Sequence, residues 1–170
     1  MIEEPFLTEP LRRDHDRSSF QCGEPTLDAY LREQASQDVR RHLAAVFVMP
    51  RGANDPRVVG YYTLSALAME AGTLPDVLRR RIPYREVPAA LLGRLAVDQD
   101  HHGRGVGSLL LVDAVRRCLQ PTAPARLAMV VDPINEAAAA WYGRFGCTPF
   151  PTRSDRLFAP LDSLRRGLDV

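Results

Sequence analysis

Six consecutive residues, His102-Gly103-Arg104-Gly105-Val106-Gly107, have the types and spacing to hold an anion. Glycines at 103, 105 and 107 leave backbone N–H groups unshielded, and Leu109, Val112, Val115 and Leu119 then take up a helical period. The first turn of a helix has N–H donors without intrahelical partners, and the helix dipole adds positive potential there. Such a turn suits a phosphate or pyrophosphate. The stretch lacks the Gly-Lys-Ser/Thr ending of a nucleotide P-loop, and its 1-3-5 glycine spacing departs from the 1-3-6 dinucleotide fingerprint. A turn that only packs helix against strand is the alternative these residues leave open. Further along, Tyr142 beside Trp141 reads, from the residues alone, as a core aromatic.

These groups need strands and helices to position them. Phe6 to Arg12 reads as a first strand. Thr26 is a candidate N-cap for a helix whose apolar face begins at Leu27, Tyr30 and Leu31 and which runs on to Arg40-Arg41. Ala44–Met49 and Val58–Met69 are two strands around the turn-rich segment 50–56, which predicts an antiparallel hairpin. Leu74 to Arg81 makes a helical turn or two ending in three arginines: a solvated helix end favoured by the dipole, or a rim that grips phosphates. Ala89 to Val97 is the strand that feeds the glycine turn. Ala125 to Val131 is a buried strand, and Asp132-Pro133 predicts a helix start with Asp as N-cap. That helix runs from Ile134 to Phe145, stops at Gly146, and presents Ile134, Ala138, Trp141 and Phe145 on its buried face. Cys147–Phe150 and Asp155–Leu161 close the chain as paired strands. The order is that of an α/β protein with a mixed sheet.

Composition sets the bounds. A chain of 170 residues, 45% hydrophobic, is enough for one substantial core and predicts a single domain over residues 1–170. Met1-Ile2-Glu3-Glu4 lacks a basic n-region and no apolar run approaches a membrane span, so the expectation is a soluble, cytoplasmic protein without a membrane partner. Three cysteines without Cys-x-x-Cys spacing predict reduced, buried thiols, not metal ligands. All 22 basic residues are arginine, which reflects either the habit of an Arg-rich proteome or a use for planar, bidentate phosphate contacts. With a net charge of +1, any nucleic-acid site must be a local patch.

His102-Gly103-Arg104-Gly105-Val106-Gly107 resembles motif A of the GNAT superfamily of N-acetyltransferases, Gln/Arg-x-x-Gly-x-Gly/Ala, with His102 in the Gln/Arg place. Asn135-x-x-Ala138-x-x-Trp141-Tyr142-x-x-x-Gly146 resembles the superfamily's motif B, with Cys147 where that pattern has Phe. The resemblance implies the GNAT fold: a six- to seven-stranded mixed sheet, splayed in the middle, with helices on both faces. It implies acetyl-CoA as cosubstrate and no metal. The cofactor residues it implies are Leu95, Ala96 and Val97 for the pantetheine arm, His102, Gly103, Arg104, Gly105, Val106, Gly107 and Ser108 for the pyrophosphate, and Asn135 and Tyr142. The Val97 backbone N–H would stabilise the oxyanion and Tyr142 would protonate the leaving thiolate.

A closer resemblance spans nearly the whole chain. Phe20-x-Cys22-Gly23-Glu24-Pro25-x-Leu27-Asp28-x-Tyr30-Leu31, Val59-Gly60-Tyr61-Tyr62-x-Leu64, Leu92-Gly93-Arg94-Leu95-Ala96-Val97-Asp98 and Trp141-Tyr142-x-x-Phe145-Gly146 are similar to the acetyltransferase toxins of bacterial type II toxin–antitoxin modules. That resemblance implies transfer of acetyl to the α-amino group of the amino acid on charged tRNA, blocking translation. It also implies a ribbon-helix-helix antitoxin as partner and a homodimer. Arg40, Arg79, Arg80, Arg81, Arg85 and Arg94 become candidates for tRNA phosphates. Two alternatives stay open: an acetyltransferase for a small-molecule amine or a protein N-terminus, and a non-catalytic CoA-binding regulatory subunit of a repressor complex.

Overall fold

The computed structural model describes residues 6–170; Met1 to Glu4, on which the expectation of no leader rests, lie outside them. Seven strands are hydrogen-bonded in the order β1-β2-β3-β4-β5-β7-β6: β1 Glu9–Pro10, β2 Ala45–Gly52, β3 Asp55–Glu70, β4 Glu86–Val97, β5 Ala128–Val131, β6 Thr148–Phe150 and β7 Arg153–Pro160. The helices are α1 Pro25–Ala29, continued through a π-helical turn at Tyr30–Gln34 into α2 Ala35–Arg40, then α3 Asp76–Arg79, α4 Val106–Cys118, α5 Glu136–Arg144 and α6 Leu161–Leu168. The mixed α/β architecture expected from the element order is what the chain adopts. The described residues pack as two compact units: 6–64 with Arg94–Ala114, and Ser65–Gly93 with Val115–Val170.

The first unit is built on the β2–β3 hairpin, antiparallel with Phe47 opposite Tyr62 and Val46 opposite Thr63. β3 is buried without alternation from Val58 to Thr63, the pattern of a strand covered on both faces. Phe20, Tyr30, Leu31, Val48, Tyr61 and Ala96 form its core. Helix α1 starts one residue before the expected cap: Pro25 sits at N1, where its fixed φ and missing N–H are harmless, and Glu24 is the N-cap. The expected strand from Phe6 to Arg12 shrinks to Glu9–Pro10. The physical reason is a competing partner, since the Leu7 N–H (2.8 Å) and the Thr8 hydroxyl both donate to the buried carboxylate of Asp113.

The second unit joins β4 and β5 in parallel, Ala89 opposite Ala128 through Leu92 opposite Val131, and adds β7 and β6 antiparallel. Met69, Leu74, Val87, Val130, Phe150 and Phe158 form its core. Helix α5 is capped by Asn135, whose Oδ1 accepts the Ala138 N–H at 2.8 Å, so the expected Asp132 cap is wrong. Asp132 instead takes both ends of the Arg156 guanidinium, at 2.7 and 2.9 Å. The expected buried face is corrected with it: Ile134 is outside the helix and exposed, Trp141 and Phe145 are half-buried, and Tyr142 is the buried one. Helix α6 lies beyond the last strand and was not anticipated. It buries Leu161 and Leu164, is tied by the Leu161 N–H to the Leu127 carbonyl at 3.0 Å, and ends on left-handed Asp169.

Candidate active site

Strand β4 outlasts its parallel partner. The β4–β5 ladder ends at Leu92 and Val131, while β4 continues to Val97. Ala96 points into the core of the first unit; Leu95 and Val97 are half-buried. Asp98 then fixes the exit of the strand. Its N–H donates to the Val59 carbonyl at 2.7 Å, and its carboxylate accepts from the Gln21 N–H and the Asp100 N–H, both at 3.0 Å. The second of these caps the 3₁₀ turn Gln99–His101. Asp98 closes the Leu92–Asp98 motif of the sequence, and its part is this cap: an acid directly after an apolar strand and two residues before Asp100 is the local signal for it.

The His102 ring closes this turn onto the strand, with Nε2 2.7 Å from the Val97 carbonyl oxygen. A carbonyl only accepts, so Nε2 carries the hydrogen. Histidine in the Gln/Arg place of motif A therefore holds the last peptide of β4. Gly103 and Gly105 follow at φ +74° and +76°, the left-handed region, and a Cβ at either would meet nothing within 4 Å. The backbone conformation requires glycine at both, not crowding. Residues 102–105 are exposed and run straight into α4, whose Leu109 N–H returns to the Gly105 carbonyl at 3.1 Å. The first turn of this 13-residue helix thus opens beside an uncovered glycine turn with Arg104 on it. That is a fit for a pyrophosphate. Of the expected apolar face of α4, Val115 is buried, Val112 and Leu119 are half-buried and Leu109 is 46% exposed; Leu110, Leu111, Ala114 and Cys118 are the further buried apolar residues.

In the second unit, Tyr142 lies on α5 with Trp141 edge-on at 5.0 Å between ring centroids, and Phe145 edge-on to Trp141 at 4.8 Å. Burial, and then the Cys147 thiol, push the Tyr142 phenol above its ordinary range, so it keeps its proton at every physiological pH. Gly146, at φ +98°, ends the helix and sends Cys147 back so that its N–H donates to the Tyr142 carbonyl at 3.3 Å. Cys147 fills the place of the motif's Phe as a buried apolar group, its thiol pushed up to about 11 by burial.

The arginine candidates separate into two kinds. Arg79, Arg80, Arg81 and Arg85 are exposed on one segment of the second unit, with Arg79 paired to Asp76 at 2.9 Å. Arg40 is exposed at the end of α2 in the first unit. Arg94 is half-buried, its guanidinium carbon 3.6 Å above the Tyr30 ring centre, a cation–π contact that holds it inside the first unit.

Residues 9–147 match the model of the acetyltransferase (GNAT) family. A tRNA-acetylating toxin of Mycobacterium tuberculosis is 41% identical over 138 residues, 81% of each chain. Among solved structures, a tyrosine-to-phenylalanine variant of KacT superposes with a TM-score of 0.86 at 30% identity, covering 96% of this chain and 99% of that one. AtaT complexed with acetyl-methionyl-tRNAfMet superposes with a TM-score of 0.82 at 28% identity, covering 95% and 98%. Other AtaT structures contain acetyl-CoA or the C-terminus of the antitoxin AtaR.

Proposed function

The chain belongs to the acetyltransferase (GNAT) family, and from that premise we propose that it transfers acetyl from acetyl-CoA to the α-amino group of the amino acid on charged tRNA, as the toxin of a toxin–antitoxin module. The observation that carries the reading is the left-handed Gly103/Gly105 turn at the head of α4, delivered by a strand that runs past its parallel neighbour. Similarity to the tRNA-acetylating toxin over 81% of the chain supports the acceptor. The antitoxin complexes of AtaT support a protein partner of the same kind. We take that partner to be a ribbon-helix-helix antitoxin, the assembly to be a homodimer, and the cytoplasm, where charged tRNA is found, to be the site of action. Among the described residues no helix is long and apolar enough to cross a membrane.

Each residue's part follows from its chemistry. Acetyl-CoA supplies the acetyl thioester. The main chain of Leu95–Val97 pairs with the pantetheine amides, which need ladder-like partners. The N–H groups of Gly103 to Ser108 receive the pyrophosphate, with Arg104 and His102 beside it, and Asn135 orders the start of α5. The Val97 N–H stabilises the oxyanion formed when the amine nitrogen attacks the thioester carbonyl. Tyr142 donates its proton to sulfur as the C–S bond breaks, and the proton the amine loses balances the one sulfur gains. Of the arginine candidates, the exposed Arg40, Arg79, Arg80, Arg81 and Arg85 contribute the positive field that meets tRNA phosphates, while Arg94 stays with the Tyr30 ring.

The test is incubation with labelled acetyl-CoA and a panel of charged and uncharged tRNAs. Label is expected only on charged species, and mild alkali should release it as N-acetyl amino acid. Label on free amines or on protein N-termini, with charged tRNA ignored, would overturn the reading.

A further inference from the structure

The chain has five tyrosines, and four of them, Tyr30, Tyr61, Tyr62 and Tyr142, are buried. Tyr84 is 71% exposed. It stands in Arg79-Arg80-Arg81-Ile82-Pro83-Tyr84-Arg85, the segment that joins α3 to β4, and each of the four arginines around it is exposed. A large aromatic ring left in water amid cations invites a planar, anionic ligand.

The backbone under the ring is fixed on both sides. Before it, Ile82 packs with Leu78 against the core of the second unit, and the Ile82 N–H donates to the Arg79 carbonyl at 3.1 Å. After it, the Arg85 carbonyl accepts the Ala71 N–H at 2.8 Å, and Glu86 begins β4. Pro83 locks its own φ between the two. The ring therefore hangs on an anchored three-residue span, and a tyrosine has only two side-chain torsions to freeze. A ligand that stacks on it meets a platform already in place. Asp76 offsets part of the Arg79 charge, which leaves Arg80, Arg81 and Arg85 as the exposed cations closest to Tyr84 along the chain.

We infer that Tyr84 is the stacking platform for an unpaired nucleobase in the single-stranded end of the charged tRNA, with the neighbouring arginines on the flanking phosphates. Stacking on an aromatic face with cations tracking the backbone is how proteins hold single strands, and it needs no sequence readout. A protein partner would also find exposed Val77 nearby, but the density of arginine around Tyr84 favours a polyanion. The inference rests on the acceptor proposed above and adds the residue that grips its unpaired end.

Steady-state kinetics with charged tRNA at several salt concentrations test it. Tyr84→Ala should raise KM for charged tRNA by about 5- to 150-fold, the range that loss of one stacked base predicts. It should leave kcat, KM for acetyl-CoA and the salt slope unchanged, because no phosphate contact is lost. Tyr84→Phe should behave as wild type. Arg85→Ala should instead flatten the slope of log affinity against log salt by about 0.7. Unchanged KM in Tyr84→Ala, an equal loss in Tyr84→Phe, or a flattened salt slope in Tyr84→Ala would overturn the inference. So would a Tyr84→Ala chain that loses antitoxin binding with KM for tRNA intact. Binding of a short oligoribonucleotide ending in CCA separates the two proposals. If the wild type binds it, Tyr84→Ala loses it, and charged tRNA is nonetheless not acetylated, the acceptor is wrong and the platform stands.

Discussion

Tyr142 holds its proton because its phenolate would have to exist in a buried place, next to Trp141 and Cys147. In the role proposed for it above, that would make it a durable acid, protonated at every pH at which the enzyme works. Tyr142→Phe should lower kcat about 100-fold or more, the usual contribution of a positioned acid, with acetyl-CoA affinity by calorimetry unchanged. The same burial fixes a sign for the pH profile. The rate should climb as an α-amino acceptor, ordinarily near about 8, loses its proton, and should not fall again below the phenol's raised pKa. A descending limb between pH 8 and 9.5, abolished in Tyr142→Phe, would show that the phenol titrates lower than its surroundings dictate. His102 gains a definite role at this scale: its Nε2–H on the Val97 carbonyl holds the last peptide of β4 against the turn. A Gln or Arg side chain also carries N–H donors, which is how a histidine can stand in that place.

At the scale of elements, helix α4 lies against β3 where β3 has no side chain. A Cβ on Gly60 would come within 2.8 Å of Leu110 Cδ1 and 3.1 Å of the Ala96 carbonyl oxygen. The leucine tip has freedom to turn aside; the carbonyl is part of β4 and does not. Gly60→Ala should therefore destabilise by about 1–3 kcal/mol, read as a lower urea midpoint at constant m-value. Gly143→Ala is the contrast. Gly143 is inside α5 with nothing within 4 Å of its missing Cβ, so alanine there should stabilise by about 0.5–1 kcal/mol. A drop in stability at Gly143 equal to that at Gly60 would mean that close approach is not what selects glycine at Gly60.

For the molecule as a whole, the three cysteines are buried, Cys22 in the first unit and Cys118 and Cys147 in the second. Cys22, in the first unit, is pushed up to about 11 by burial and then by the Asp28 carboxylate; Cys147, in the second, reaches about 11 by burial. An unfolded thiol ionises near about 8.5, so above that pH the unfolded chain gives up protons that the folded chain retains. Stability from these groups is fully present below about pH 8.5 and drains away as pH rises toward 11. Urea midpoints at pH 7, 9 and 10.5 should fall in that order, and Cys147→Ala should fall less steeply. Midpoints level to pH 10.5 would contradict the burial of these thiols. The even charge balance limits any polyanion surface to a patch, and Arg79 to Arg85 form the densest run of exposed cations among the candidates.

Two motifs, their order and their distance apart were enough for the sequence alone to determine the family, the mixed α/β class and the glycine turn, though not the C-terminal helix α6, because each of the three rests on local chemistry. A left-handed turn needs glycine wherever it occurs, and an apolar run leading into it reads as a strand without any knowledge of its neighbours. Tertiary structure decided whatever depended on partners distant in the chain. Asp113 drew Leu7 and Thr8 out of the first strand from more than a hundred residues away, and Arg156 took Asp132 from the cap that Asn135 then supplied. Val115 of α4 is buried where periodicity put it, but Leu110 and Leu111 of α4 and Tyr142 of α5 are buried next to the residues expected inward, since a helix with apolar residues on several sides is turned by what packs against it. Arg94 and Arg85 are alike in sequence; packing put one over the Tyr30 ring and the other in solvent beside Tyr84.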